Sequence, residues 1–127
     1  MDILFIEDDA MNRRVVRDML DVAGATMIEA ESTEIGIGLI NNHDFDLVLL
    51  DLRMPGTDGF ETLRQIRTRN DAKSNLKVIV LTADTAFDLR ARCDAAGANE
   101  VLFKPVAMDI LFEAIGKVMA SAGGIIR

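Results

Sequence analysis

Two stretches, Leu47-Val48-Leu49-Leu50 and Val78-Ile79-Val80-Leu81, are apolar at every position instead of every second one. Successive side chains of a strand point to opposite sides of a sheet, so such a run requires both faces to be covered. Helices that connect parallel strands provide that cover, and the rest of the chain has the matching layout. Apolar runs at Ile3 to Ile6, Thr26 to Ala30 and Val101 to Phe103 complete five predicted strands. Between them, Val15, Val16, Met19, Leu20 and Ala23 share one helical face, and so do Met108, Leu111, Ile115 and Val118. Three more helices are predicted over Ser32 to Asn41, Gly59 to Arg69 and Thr85 to Ala96, with stops at Asn42, Asn70 and Gly97. Gly36 and Gly38 each weaken the first of these three by about 1 kcal/mol relative to Ala. The chain therefore reads as α/β, with a doubly wound, five-stranded parallel sheet and five helices.

At 127 residues, half of them apolar, the chain suits one domain with its own core. The predicted domain covers residues 1–120, and residues 121–127, with Ser121, Gly123 and Gly124, read as a short flexible tail. No apolar run approaches the roughly 18 residues of a membrane span, and MDILFIEDD lacks a basic signal-peptide start. A soluble cytoplasmic protein without membrane insertion is expected. The formal charge of −7 argues against direct nucleic-acid binding, which depends on Lys and Arg displacing counterions. Arg13, Arg14 and Arg17 read as a solvated helix face balancing Asp18 and Asp21. Cys93 has no partner for a disulfide and reads as structural, and His43 reads as a solvated loop residue.

The informative polar residues stand where strands stop: Glu7-Asp8-Asp9 after the first, Asp51 after the third, Thr82 after the fourth and Lys104 after the fifth. Ligands of open α/β sheets bind along that edge. If the first and third strands are neighbours, about 4.8 Å apart, then Asp8, Asp9 and Asp51 form one cluster. Carboxylates so close repel unless protonated or neutralised by a cation, and an all-oxygen donor set with open positions suits Mg2+, or Mn2+ in its place. A carboxylate is also a nucleophile toward phosphorus, in a step that depends on positioning and on charge neutralisation. In that scheme the metal, the Lys104 ammonium and the Thr82 hydroxyl each take one phosphoryl oxygen, and the small Ala83 leaves Asp51 accessible. Each residue also has a plainer structural reading. Asp8 or Asp9 suits the N-cap of the first helix, Thr82 a cap of the fourth, and Lys104 a surface lysine before a turn proline.

In these motifs the chain resembles the receiver domains of two-component response regulators, from about Asp2 to about Val118. The matching segments are Ile6-Glu7-Asp8-Asp9, then Leu49 to Gly59 around Asp51, then Leu81-Thr82-Ala83, then Lys104-Pro105. The resemblance implies the flavodoxin-like strand order 2-1-3-4-5. It implies Asp51 as phosphoacceptor, Asp9 as a direct Mg2+ ligand, Asp8 as a ligand through water, and the backbone carbonyl of Arg53 as a further ligand. It also implies Thr82 as the switch hydroxyl, Lys104 as the phosphate cation and a cis bond before Pro105. The implied donor is a sensor histidine kinase or histidine phosphotransfer protein docking near the first helix and the loop after Asp51. The implied output is contact with a downstream protein through the fourth helix, fifth strand and fifth helix, as a monomer or a phosphorylation-dependent dimer.

Two positions depart from the family pattern. Val101 stands where an aromatic residue usually turns inward, so the relay is expected to run through the backbone after Thr82 and through Phe87 or Phe103. Arg53 and Asp84, each two residues beyond a site residue, are expected to pair across the cleft and tune the phosphoryl lifetime. Two other functions compete with this one. A haloacid-dehalogenase-type phosphatase needs an aspartate where Arg53 stands. A receiver-like interaction module that works without phosphorylation fits the loss of the aromatic at Val101. A nucleotide-binding site fares worse, since there is no G-x-x-x-x-G-K-[ST] motif and Gly36-Ile37-Gly38 lies in a predicted helix and not after a strand.

Overall fold

The fold follows from how the apolar runs are shared between two layers of helices. In the computed structural model, which describes residues 1–121, the main strands are β1 (Asp2–Ile6), β2 (Thr26–Ala30), β3 (Leu47–Asp51), β6 (Val78–Thr82) and β7 (Glu100–Phe103). A small antiparallel hairpin, β4 (Arg53–Met54) and β5 (Thr57–Asp58), lies between them in sequence. The helices are α1 (Ala10–Val22), α2 (Thr33–Asn42), α3 (Gly59–Arg67), α4 (Leu89–Ala96) and α5 (Met108–Ser121). The five main strands pair in parallel in the order β2-β1-β3-β6-β7. With the hairpin strands set aside, this is the flavodoxin-like order 2-1-3-4-5.

Every residue of β3 and β6 is buried. Alternate residues serve alternate faces. Leu4, Ile6, Val48, Leu50, Val78 and Val80 pack with Ile40, Leu63, Ile66, Leu89 and Cys93 from α2, α3 and α4. Ile3, Phe5, Leu47, Leu49, Ile79 and Leu81 pack with Val16, Leu20, Leu111, Ala114 and Val118 from α1 and α5. Cys93 is thus a core residue, and His43 sits at the end of α2 with Nε2 3.1 Å from Asp2 Oδ2.

Several boundaries differ from the sequence expectation for local reasons. The fourth helix begins at Leu89 and not at Thr85. Asp84 folds the intervening segment into a turn, its Oδ1 accepting from the Ala86 amide at 2.9 Å, and such a bond competes with helix formation. Thr82 does not cap this helix. Ser32 is the N-cap of α2, its Oγ accepting from the Ile35 amide at 3.2 Å, and the helix includes Asn42. The third helix stops at Arg67, short of Arg69, whose guanidinium turns to Asp71. The last helix runs through Ser121, one residue into the expected tail, and residues 122–127 lie outside the described part. The β4–β5 hairpin was not anticipated, although Pro55-Gly56, with Gly56 at φ 73°, is the pair a tight turn requires.

The hairpin is closed by a close backbone approach at Gly59. A Cβ there would lie 2.5 Å from Leu52 Cα and 3.1 Å from Leu52 O. At Gly38, inside α2, an added Cβ meets nothing within 4 Å. Opposite effects are therefore expected in urea unfolding followed by circular dichroism. Gly38→Ala raises stability by about 0.5–1 kcal/mol through helix propensity. Gly59→Ala lowers it by about 1–3 kcal/mol through the backbone clash. A stabilising Gly59→Ala would show that this approach is not tight.

Candidate functional site

Strand register gathers the polar residues at the C-terminal edge of the sheet. Ile6 pairs with Leu50, Asp51 with Leu81, and Thr82 with Phe103. The Glu7 amide continues the ladder by donating to Ala30 O at 2.9 Å, so Glu7 follows β1 as Asp51 follows Leu50. Glu7 and Asp51 are only 1% and 4% exposed, and Thr82 is fully buried. Lys104 follows β7, with its amide donating to Thr82 O at 2.8 Å. Its ammonium reaches Glu7 Oε1 at 2.5 Å and lies 3.3 Å from Asp51 Oδ2. The Lys104–Pro105 peptide bond is cis.

Carboxylate oxygens of Glu7, Asp8 and Asp51 lie within 4.8 Å of one another. The acidic pair beside Asp51 is thus Glu7 and Asp8, one residue earlier than the expected Asp8 and Asp9. Asp9 is occupied otherwise: its Oδ1 accepts from the Met11 and Asn12 amides at 2.8 and 3.3 Å, capping α1. This matches the plainer reading of Asp9, since a helix start needs an acceptor for its free amides. Glu7 is the residue that sequence reasoning missed. Its signal was its place immediately after the last apolar residue of a strand, the same place that Asp51 holds.

The charges are unbalanced. Burial pushes Glu7 up to about 7; the Lys104 hydrogen bond opposes this, and the neighbouring Asp51 adds to it. Burial alone would lower the Lys104 ammonium, but Glu7 and Asp51 outweigh it and hold its pKa above the ordinary value. Three carboxylates facing one ammonium leave net negative charge in a space of cation size. These donors fit a hard divalent ion that keeps open positions for other oxygens.

Around this centre, Asp51 Oδ1 accepts from the Arg53 amide at 3.1 Å. Arg53 Nη2 pairs with Asp84 Oδ2 at 2.8 Å, and this hydrogen bond holds the Asp84 carboxyl below its usual range. The Asp84 amide donates to Thr82 Oγ1 at 3.0 Å. Ala83 is exposed beside Thr82 and lines an apolar cleft with Lys104 and Pro105. Val101 is buried in the core, Phe103 carries the Arg90 guanidinium 5.8 Å from its ring centre, and Phe87 is fully exposed.

A five-stranded parallel sheet in this order, with acids, a hydroxyl and a lysine along one edge, defines a flavodoxin-like domain. Residues 3–116 match the family described as the response regulator receiver domain, and the chain belongs to that family. It is a receiver domain of two-component signalling. It is 35% identical over 122 residues to the sensor histidine kinase AruS of Pseudomonas aeruginosa, covering 95% of this chain and 12% of that protein. It is 34% identical over 124 residues to the virulence sensor protein BvgS of Bordetella pertussis, covering 94% of this chain and 10% of that protein. The chain thus spans about a tenth of the length of these relatives. A solved receiver domain protein from Clostridium thermocellum superposes with a TM-score of 0.84 at 28% identity, covering 95% of each chain. Among the described residues no helix is long and apolar enough to cross a membrane.

The Glu7 shift has a consequence for stability. With its pKa raised from 4.5 to about 7, the folded chain retains a proton that the unfolded chain releases. This contribution is fully present below pH 4.5 and is lost as pH rises through about 7. In chelator, the melting temperature of the native chain should fall by several degrees relative to Glu7→Gln between about pH 5 and about pH 8. Parallel curves for the two proteins would contradict the assignment.

Proposed function

We propose that Asp51 accepts a phosphoryl group from a phosphohistidine of a sensor histidine kinase or a histidine phosphotransfer protein. The observation that carries this reading is a buried carboxylate at a strand end with an ammonium 3.3 Å from Oδ2 and two further acids beside it. An Asp51 oxygen forms the bond to phosphorus as the bond to the donor imidazole breaks, leaving an acyl phosphate and a neutral histidine. Lys104 pairs with one phosphoryl oxygen, and the Thr82 hydroxyl donates to another. Asp8 and Asp51, with Glu7 and the Arg53 backbone carbonyl, would hold Mg2+ or Mn2+, which when bound supplies positive charge for the transferred group. Asp9, expected as a direct ligand, acts instead as the α1 cap. The kinase named among the relatives supports a histidine donor, and the exchange is proposed to take place in the cytoplasm.

If the Thr82 hydroxyl turns to the phosphoryl group, its bond from the Asp84 amide is lost and the segment Asp84 to Asp88 is released. Phe87, fully exposed on that segment, and Phe103 would carry the change to the face of α4, β7 and α5. A partner selective for one of the two conformers would read it. The second reading, an interaction module that needs no phosphorylation, is favoured only by Val101, packed in the core where the family relay has an aromatic. A phosphatase reading fails because Arg53, paired with Asp84, offers no proton donor.

Incubation with a small-molecule phosphodonor and Mg2+, followed by intact mass, should show a gain of one phosphoryl group. Asp51→Asn should abolish it and Lys104→Met should slow it at least tenfold. Chemical shifts of residues Asp84 to Asp88 should move in the phosphorylated sample. No gain in mass would favour the interaction module.

The Arg53–Asp84 pair stands beside Asp51, whose Oδ1 accepts from the Arg53 amide, and with the Arg53 side chain exposed it contributes little to stability. Its effect is expected on phosphoryl lifetime. Arg53→Ala and Asp84→Ala should each hasten dephosphorylation several-fold by admitting water, with the melting temperature of Arg53→Ala nearly unchanged. Equal decay rates in all three proteins would remove the pair from the mechanism.

A further inference from the structure

We propose that Arg13 is a positioning residue that aims the Glu7-Asp8 pair at Asp51. The inference rests on the reading of that cluster as a divalent-cation site, and it concerns the backbone behind the carboxylates. Sequence reasoning assigned Arg13 to a solvated helix face, yet its side chain is only 14% exposed. One nitrogen, Nη1, donates to Glu7 O at 2.8 Å and to Asp8 O at 3.0 Å. The other edge of the guanidinium donates through Nε to Glu29 Oε1 at 2.7 Å, on β2. Arg17 also pairs with Glu29, so this carboxylate is itself held.

Among the described residues, Arg13 is the side chain that donates to the carbonyls of both Glu7 and Asp8. The chain bends at Asp8, between the end of β1 and the start of α1, and both the Glu7 and the Asp8 carbonyl accept from Arg13 there. Other ties also hold this bend: the Glu7 amide on Ala30 O, the Asp9 side chain on the first amides of α1, and the Glu7 carboxylate, which accepts from the Asp9 amide at 3.3 Å and from Asn12 Nδ2 at 3.4 Å. The Asp9 amide bond acts on the Asp8–Asp9 peptide plane, but none of these ties engages the two carbonyls behind the Glu7 and Asp8 side chains. Arg13 does, from α1, and Glu29 fixes Arg13 to the sheet. A planar fork can bond the carbonyls on one edge and a carboxylate on the other; a lysine ammonium has the charge without the fork. Arg13 touches neither carboxylate, so its effect passes through the backbone. Groups that orient metal ligands in this indirect way commonly change affinity by 10–100-fold when removed.

The test is calorimetric titration of the full chain with magnesium chloride alone, for the native protein and the variants Arg13→Gln, Arg13→Lys, Glu29→Gln and Arg67→Gln. Arg67 ties Gly97, Ser74 and Leu76 carbonyls far from the acidic edge, so its variant reports general loosening of the fold. Arg13→Gln should bind Mg2+ about tenfold more weakly, with Arg13→Lys close to it and Arg67→Gln like the native chain. Phosphorylation of Arg13→Gln by a small-molecule donor should need more Mg2+ for half-maximal rate yet reach nearly the native rate at saturation. Should Arg13→Gln not fold, a weakened Glu29→Gln carries the same meaning. Native affinity in Arg13→Gln or Arg13→Lys, or an equal loss in Arg67→Gln, would overturn the role of Arg13 while leaving the cation site standing. No Mg2+ binding by the native chain would overturn both.

Discussion

The ladder from β1 through β3 to β6 is the constraint on which everything else rests. Both faces of β3 and β6 are covered, so a slip of one residue would turn a whole apolar set toward the wrong layer of helices. Register is thereby held tightly, and it carries the polar residues along. Glu7, Asp51 and Thr82 occupy strand ends because the apolar runs before them are buried in step. The precision of the site is thus a by-product of packing in the core.

That edge concentrates unfavourable charge. A buried glutamate beside a buried aspartate is costly, and one ammonium at 2.5 and 3.3 Å answers only part of it. The rise of the Glu7 pKa to about 7 comes first from burial and then from the neighbouring Asp51, against the opposing Lys104 hydrogen bond. A domain with no task for the cluster would gain by replacing it with apolar side chains of similar size. Its presence is intelligible as the cost of the cation and phosphoryl site proposed for this edge.

The connections off the sheet are shaped by short polar side chains competing with helix and strand. Asp9 caps α1, Ser32 caps α2, and Asp84 ties its own following turn while meeting Arg53 from the other side of the cleft. These local bonds explain where the sequence reading was right in kind but wrong in position. The family resemblance implies Asp9 as a ligand, while its side chain caps α1, and the choice between ligand and cap depends on the direction the chain takes as it leaves the strand. The sequence predicts a helix from Thr85, yet Asp84 satisfies the Ala86 amide by itself and delays the helix to Leu89. Arg13, one of three arginines on α1, looked solvated because its partners, Glu29 and two carbonyls, are distant in sequence or belong to the backbone.

The α/β class, five main strands, five helices and the edge that bears chemistry were all legible in periodicity and in the polar residue that ends each apolar run. These are local properties, and burial enforces them wherever the strands end up. Tertiary structure alone decided which acids face one another, that Lys104 bridges Glu7 and Asp51, and that Arg53 meets Asp84. Those relations span up to 97 residues of chain, and a carboxylate's role there is set by ångström-scale direction, which no local pattern encodes.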